Sequence, residues 1–203
     1  LHKLFVISSP SGGGKTSLIN KLFEDSRSAN FEKSISDTSR QKRQGDLEGK
    51  DYYFLSEKDF KDKIKKEEYV EYATVFGNFY GTSKEEIKTK YNNSNLILEL
   101  DWQGAYAVKE LFDDAKLIFL VPPSLDDLKQ RLIKRNLDSS EAIESRLSEA
   151  KKEISKSEMY DYLVLNDDFD KAFEDLSQIL FEGISPIDFN SRASKDLIKR
   201  LVE

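Results

Sequence analysis

The stretch "VISSPSGGGKTSLI", residues 6–19, most constrains what this chain can fold into. A short apolar run, typical of a buried strand, leads into a proline, three glycines, a lysine and two hydroxyl residues. Apolar residues then return at helical spacing, with Leu18, Ile19 and Leu22 on one face. Small residues let consecutive backbone N–H groups turn toward one point, and the N-terminus of the next helix adds partial positive charge. The stretch therefore predicts a strand, an anion-binding loop and a helix.

The side chains of this loop are those that bind nucleotide phosphates in such a setting. The Lys15 ammonium can reach the β- and γ-phosphates of a nucleoside triphosphate, and the Thr16 hydroxyl can ligate Mg²⁺. Ser9 stands where the strict Gly-x-x-x-x-Gly-Lys-Ser/Thr motif has its first glycine. A glycine-rich turn with an incidental lysine is the alternative, but context and spacing both favour the phosphate loop. We expect a nucleoside triphosphate to be bound by Ser9, Pro10, Ser11, Gly12, Gly13, Gly14, Lys15, Thr16 and Ser17.

Apolar runs and helical patterns alternate along most of the remaining chain. Three further runs are typical of buried strands, at 95–101, 116–121 and 161–166. Four such strands alternating with helices predict an α/β fold, in which a parallel sheet is flanked by helices on both faces. An aromatic, β-like region at about 34–82 interrupts the alternation and is interpreted as an inserted subdomain. Asp138 and Glu141 predict the start of a helix.

Composition excludes several classes of function. A chain of 203 residues, 38% hydrophobic and 34% charged, suits one domain with a full core. No apolar run approaches the roughly 18–20 residues needed to cross a bilayer. The absence of cysteine excludes disulfides and thiolate metal sites and favours a reducing cytoplasm. A net charge of −6 argues against general nucleic-acid binding but permits local basic pockets for small anions.

Charged residues outside the loop suggest a second anion pocket and a metal ligand. Glu99 and Asp101 lie two apart at the end of an apolar strand, so they are expected to point to the same side. In proteins with this loop, an acid at that position can help hold Mg²⁺. The alternative is a core strand whose end happens to be acidic. Arg40 and Arg43 suit an anion pocket or, equally, a solvated basic turn.

Groups suited to general-base catalysis are scarce. The one histidine, His2, lies at the terminus, and there is no cysteine, so neither a Cys–His nor a Ser–His–Asp arrangement is available. A phosphate acceptor is already ionised and needs no base, so positioning and charge neutralisation suffice. A nucleotide kinase is favoured over a hydrolase.

Taken in order with the loop, four segments make essentially the whole chain resemble guanylate kinase: "TSRQKRQGDLEGKDYYF", "VFGNFYGTS", "ELDWQGA" and "VLNDDFD". The resemblance implies phosphorylation of GMP (or dGMP) by ATP with Mg²⁺, in the cytoplasm and without nucleic-acid or membrane partners. It implies a single domain with a core at 1–33, 83–124 and 159–203, a GMP-binding insert at about 34–82 and a helical lid at about 125–158.

The resemblance also implies which residues bind GMP. A carboxylate at Glu71 can accept from guanine N1–H and the 2-amino group, a pair of donors that adenine lacks. The groups implied for guanine are Ser36, Glu71, Thr82 and Asp101. The groups implied for the GMP phosphate are Arg40, Arg43, Tyr52 and Tyr80.

On the ATP side, the resemblance implies three lid arginines that reach ATP and the transferring phosphoryl group, namely Arg131, Arg135 and Arg146. Asn166 resembles the adenine-side contact, and Thr16 with Glu99 would serve the metal. Catalysis would then rest on Lys15, Arg40 and the three lid arginines.

The chain departs from the family pattern at Ser9, at Glu99 (often aspartate) and in the lid turn "KRNLD". Two alternatives remain: a peptide-binding scaffold domain, which typically has a degenerate ATP loop, and a kinase acting on a phosphorylated sugar, which leaves the guanine set unexplained. The sequence leaves the oligomeric state open.

Overall fold

The structure is a computed structural model that describes residues 2–75, 77–134 and 139–203. The chain divides into two compact units, the first formed by Leu1–Val6 and Asn30–Ala115 and the second by Ile7–Ala29 and Lys116–Glu203. The first strand is shared, since residues 4–6 belong to the first unit and 7–8 to the second.

The strands, in chain order, are β1 (Leu4–Ser8), β2 (Phe31–Lys33), β3 (Asp37–Thr38), β4 (Tyr53–Phe54), β5 (Tyr69–Val75), β6 (Asn78–Ser83), β7 (Asn95–Glu99), β8 (Lys116–Val121) and β9 (Tyr162–Leu165). The α-helices are α1 (Lys15–Glu24), α2 (Glu57–Lys65), α3 (Lys84–Tyr91), α4 (Trp102–Leu111), α5 (Leu125–Lys134), α6 (Ser140–Ser155), α7 (Phe169–Ser177) and α8 (Arg192–Val202). Short 3₁₀ segments lie at Ser26–Asn30 and Ser157–Met159, and α7 continues into a π-helical turn at Gln178–Glu182.

The first unit combines parallel strands with a small mixed sheet. The parallel strands follow the order β2-β7-β1, and the mixed sheet follows the order β4-β3-β6-β5. Strands β5 and β6 are antiparallel, which places Glu71 directly opposite Thr82. The fully buried Phe60 of α2 stacks on Tyr69 and Phe79, with ring centroids 4.5 and 5.3 Å apart. Aromatic packing therefore holds α2 on the sheet that presents Glu71.

The second unit places the glycine loop between β1 and α1. Its parallel strands follow the order β1-β8-β9, and Leu120 lies opposite Val164. Both are buried, as are the residues of α1 and α5 that face inward at helical spacing: Leu18, Ile19, Leu22, Leu128 and Leu132. Helix α1 packs on α7, and α6 packs on both α5 and α8.

The predicted α/β fold with a parallel sheet is confirmed, with three local differences. Strand β7 ends at Glu99, so Asp101 is not on it. Strand β2 is three residues long and polar at two of them, which is too short for an apolar pattern to predict. Helix α6 is capped by Ser139, whose hydroxyl accepts from the Ala142 N–H; Asp138, the predicted cap, lies outside the described residues.

No helix within the described ranges is long and apolar enough to span a membrane.

Candidate active site

The glycine loop adopts a shape that only glycine permits at its centre. Gly14 has φ +89°, in the left-handed region, immediately before α1 begins at Lys15. The Gly13 N–H donates to the Pro10 carbonyl at 2.8 Å, which closes a tight turn. A Cβ on Gly13 would lie 2.9 Å from the Pro10 oxygen and from Ser9. The loop therefore curls ahead of the positive end of α1, as expected for a phosphate-binding loop.

Residues predicted to lie on the ATP side surround this loop within the second unit. The Arg146 guanidinium donates to the Ser11 hydroxyl at 2.8 Å. The Arg131 guanidinium donates to the Asn166 backbone carbonyl at 2.7 Å. Beside them is a cavity of about 310 Å³ lined by Gly12, Gly14, Ser17, Arg131, Lys134, Asn166, Asp167 and Phe169. Arg135, the third predicted lid arginine, lies outside the described residues.

In the first unit, all four residues predicted to contact guanine lie together. The Ser36 and Thr82 hydroxyls are 3.3 Å apart, and Thr82 also hydrogen-bonds the Glu71 carboxyl through its side chain and its backbone. Asp101 lies close enough for its charge to act on Glu71. A Cβ on Gly104 would lie 3.3 Å from Glu71 Cγ, so the start of α4 covers this side chain closely. The cluster thus brings together hydroxyl and carboxyl oxygens.

The ionisation of Glu71 is strongly shifted. Burial is the main cause: together with the nearby Asp101 charge, and against the opposing hydrogen bonds from Thr82, it raises the pKa of the Glu71 carboxyl to about 7. A buried carboxylate that pays a desolvation cost gains most from a ligand that donates hydrogen bonds to it. This arrangement suits a base edge with adjacent N–H donors.

Asp101 has a structural role that the sequence did not predict. It is the N-cap of α4, and its Oδ1 accepts from the Gly104 N–H at 2.9 Å. The expectation that it would share a strand side with Glu99 is wrong, because the strand has already ended. Its carboxylate nevertheless lies near Glu71, since the capped helix begins there.

Three of the residues predicted to bind the GMP phosphate form a second cluster in the same unit. The Tyr52 and Tyr80 rings meet edge to face at 5.7 Å, and the Arg40 guanidinium lies 5.4 Å from the centre of the Tyr52 ring. Asp46 pairs with Arg40 at 2.9 Å and accepts from the Arg43 backbone N–H at 2.7 Å. The cluster thus presents a cation and two phenols, with one carboxylate as counter-ion.

Asp46 is the residue that sequence reasoning missed here. Burial lowers the pKa of Arg40, but the hydrogen bond and the charge of Asp46 outweigh this and leave it above its ordinary value. The Arg40 hydrogen bond, followed by the one from Arg43, holds the pKa of Asp46 below its usual range. The signal in the sequence was an acid three residues after Arg43, but it becomes meaningful only once the turn brings it back to Arg40.

The predicted metal ligands are oxygen donors of the kind Mg²⁺ prefers. Glu99, at the end of β7, pairs with the Lys33 ammonium at 2.6 Å, so its carboxylate is held by a cation that the sequence analysis did not single out. Thr16 lies in the first turn of α1. Among the described residues, no group of three or more histidines, cysteines or acids is placed to hold a metal ion. The donor types fit Mg²⁺ that takes its other ligands from phosphates and water.

Comparison with known proteins identifies the family. The sequence profile described as guanylate kinase matches residues 1–183. The chain belongs to the guanylate kinase family. It is 46% identical over 179 residues to guanylate kinase of Wolbachia sp. subsp. Brugia malayi, covering 87% of this chain and 91% of that protein. It is 48% identical over 178 residues to guanylate kinase of Hahella chejuensis, covering 87% and 85%.

A solved structure agrees. The crystal structure of guanylate kinase from Anaplasma phagocytophilum superposes with a TM-score of 0.71 at 32% identity, covering 100% of this chain and 97% of that one. Guanylate kinases are nucleoside monophosphate kinases, and the activity of this chain is the ATP-dependent phosphorylation of GMP to GDP.

Proposed function

We propose that the two clusters of the first unit bind GMP and that the loop and arginines of the second unit bind ATP. Glu71, Thr82, Ser36 and Asp101 would read guanine, and Arg40, Arg43, Tyr52 and Tyr80 would hold its phosphate. The observation that carries this assignment is the Glu71 carboxyl, which has a pKa near 7 and lies among hydroxyls. Adenine has no N1–H and no 2-amino group, so AMP would leave this desolvated carboxyl without donors.

The γ-phosphoryl group would pass directly from ATP to the GMP phosphate, releasing ADP, with positioning and charge neutralisation as the source of catalysis. Lys15 and the backbone of the loop would hold the β- and γ-phosphates, and Arg131, Arg135 and Arg146 would neutralise charge on the transferring group. Arg40 would orient the acceptor phosphate. That phosphate attacks through an ionised oxygen and needs no base. We assign the insert at about 34–82 to GMP binding and the segment at about 125–158 to the lid.

Mg²⁺ is the metal we propose, with Thr16 and Glu99 as its protein-side contacts, either directly or through water. When bound, it would neutralise charge on the ATP phosphates. Lys33 would compete with the metal for the Glu99 carboxylate. Metal binding would therefore require the Lys33–Glu99 ion pair to break, or the carboxylate to contact both cations. We also propose a cytoplasmic location, which the absence of cysteine supports.

The test is kcat/KM for GMP and for AMP in the wild type and in Glu71→Gln. Gln keeps the shape but loses the charge-assisted bonds, each of which contributes about 1.5–3 kcal/mol, so GMP efficiency should fall about 10- to 150-fold. ATP binding, measured separately, should not change.

Glu110→Gln is the matched control, because it removes the same charge from an exposed position on α4 and should behave as wild type. Equal GMP efficiency in the wild type and Glu71→Gln would remove the guanine assignment. Wild-type preference for AMP would also contradict it.

A further inference from the structure

The side chain of Asn166 contacts the backbone of the glycine loop. Its Nδ2 donates to the Gly13 carbonyl at 2.6 Å, across 153 positions of sequence. The residue is 4% exposed, so this bond is shielded from water. A Cβ on Gly14 would lie 2.4 Å from the same nitrogen. The amide therefore packs directly against the Gly13–Gly14 peptide.

This contact fixes the direction of a backbone donor. The carbonyl of Gly13 and the N–H of Gly14 belong to one planar trans peptide and point in opposite directions. A bond that holds the carbonyl toward Asn166 consequently turns the Gly14 N–H away from Asn166. Glycine at φ +89° has no side chain to resist rotation of this peptide, so an external partner is needed to select one orientation.

Asn166 itself is held firmly enough to act in this way. Its backbone N–H donates to the Val121 carbonyl at 2.9 Å, at the end of β8. Its backbone carbonyl accepts from Arg131 at 2.7 Å. The same residue thus connects the rigid edge of the parallel strands to the loop and to an arginine beside it.

We propose that Asn166 is a positioning residue for the phosphate loop, holding the Gly13–Gly14 peptide so that the Gly14 N–H faces the polyphosphate of the donor nucleotide. This rests on the proposed assignment of the loop to ATP. This role can be told apart from an adenine contact, because it should change the affinity even for a polyphosphate that carries no base.

The probe is therefore inorganic tripolyphosphate, with ATP in parallel, titrated calorimetrically into the wild type and Asn166→Asp. A carboxylate has nearly the shape of the amide but cannot donate, and it faces the Gly13 carbonyl with negative charge. The variant loses the hydrogen bond to Gly13 and leaves the Gly13 carbonyl oxygen unsatisfied. The affinity for both ligands should therefore fall by a similar factor, about 5- to 150-fold. Asn20→Asp, which adds the same charge at an exposed position of α1, should leave both affinities near wild type.

A second readout reports on the peptide itself. In the wild type, tripolyphosphate should shift the ¹⁵N–¹H resonance of Gly14, because that donor meets the anion. In Asn166→Asp the shift at saturation should be strongly reduced. General loosening of the fold would instead disturb many resonances and would also weaken GMP, whose proposed site lies in the first unit. If GMP binding is lost in Asn166→Asp, the smaller Asn166→Ser change is compared in the same way.

The outcomes separate the claims. Weaker ATP with unchanged tripolyphosphate would overturn the positioning role and leave Asn166 as a contact to the base. Unchanged affinity for both ligands in Asn166→Asp would also overturn the positioning role. The same holds for Asn166→Ser where that variant is the one compared. A wild type that fails to bind tripolyphosphate would contradict the assignment of the loop to ATP, and the positioning role with it.

Discussion

At the scale of single residues, Glu71 makes stability depend on pH in a defined direction. Folding raises the pKa of its carboxyl from 4.5 to about 7, so the folded chain holds this proton more tightly than the unfolded chain. Between those pH values the unfolded chain ionises first, and the free energy of unfolding falls as pH rises. Glu71→Gln lacks this ionisation. The free energy of unfolding of Glu71→Gln, relative to that of the wild type, should therefore rise by up to about 3 kcal/mol between pH 4.5 and 7 and then level off.

Urea unfolding at a series of pH values measures this difference. Asp101 is the acid whose charge acts on Glu71, and it stays in place in both proteins. Glu110→Gln is again the control: its free energy of unfolding should differ little from that of the wild type, and the difference should not vary with pH. A difference for Glu71→Gln that is constant across the range would show that folding leaves the pKa of Glu71 near its ordinary value.

At the scale of secondary-structure elements, one carboxylate joins two strands of the small mixed sheet to the helix that packs on it. Asp37 of β3 is 4% exposed and accepts from Lys63 of α2 at 2.5 Å and from the Tyr69 hydroxyl of β5 at 2.7 Å. Asp37→Ala would leave that phenol buried without its acceptor. We expect a loss of about 1–3 kcal/mol in the free energy of unfolding.

An exposed ion pair on the same helix provides the comparison. Glu57→Ala removes the partner of Lys61 at the surface of α2 and should cost less than about 1 kcal/mol. Urea unfolding of both variants gives the two values. Equal losses would mean that the buried position of Asp37 adds nothing.

The elements differ in how far the sequence could predict them. The strand, glycine loop and α1 were predictable because their signals are local: apolar spacing, small residues and a lysine in fixed order. The ion pairs Asp46–Arg40 and Lys33–Glu99 could not be predicted. The first forms only through a turn of the chain, and the second joins residues 66 positions apart. The Asn166 position was implied by family resemblance, but its bond to Gly13 depends on the packing of strands that no spacing reveals.

At the scale of the whole molecule, the division of β1 between two units predicts cooperative unfolding. Residues 4–6 of this strand serve one unit and 7–8 the other, so unfolding of either unit removes partners from a strand that both use. We expect a single calorimetric transition. GMP at about 100 times its Kd should raise the free energy of unfolding by about 2.7 kcal/mol and move that whole transition upward.

Differential scanning calorimetry with and without GMP tests this. Two resolved transitions, only one of which moves with GMP, would show that the units unfold independently. Glu71→Gln at the same GMP concentration should show a smaller shift, because its affinity is lower.

The bond between Asn166 and Gly13 also bears on how the protein is made. During synthesis the glycine loop leaves the ribosome 153 residues before the amide that we propose orients it. Until then the loop has its complete local sequence but lacks the partner that fixes its peptide. A nascent chain stalled before residue 166 should consequently fail to retain ATP, and nucleotide cannot serve as an early template for folding. The donor site would therefore be completed only after Asn166 has left the exit tunnel.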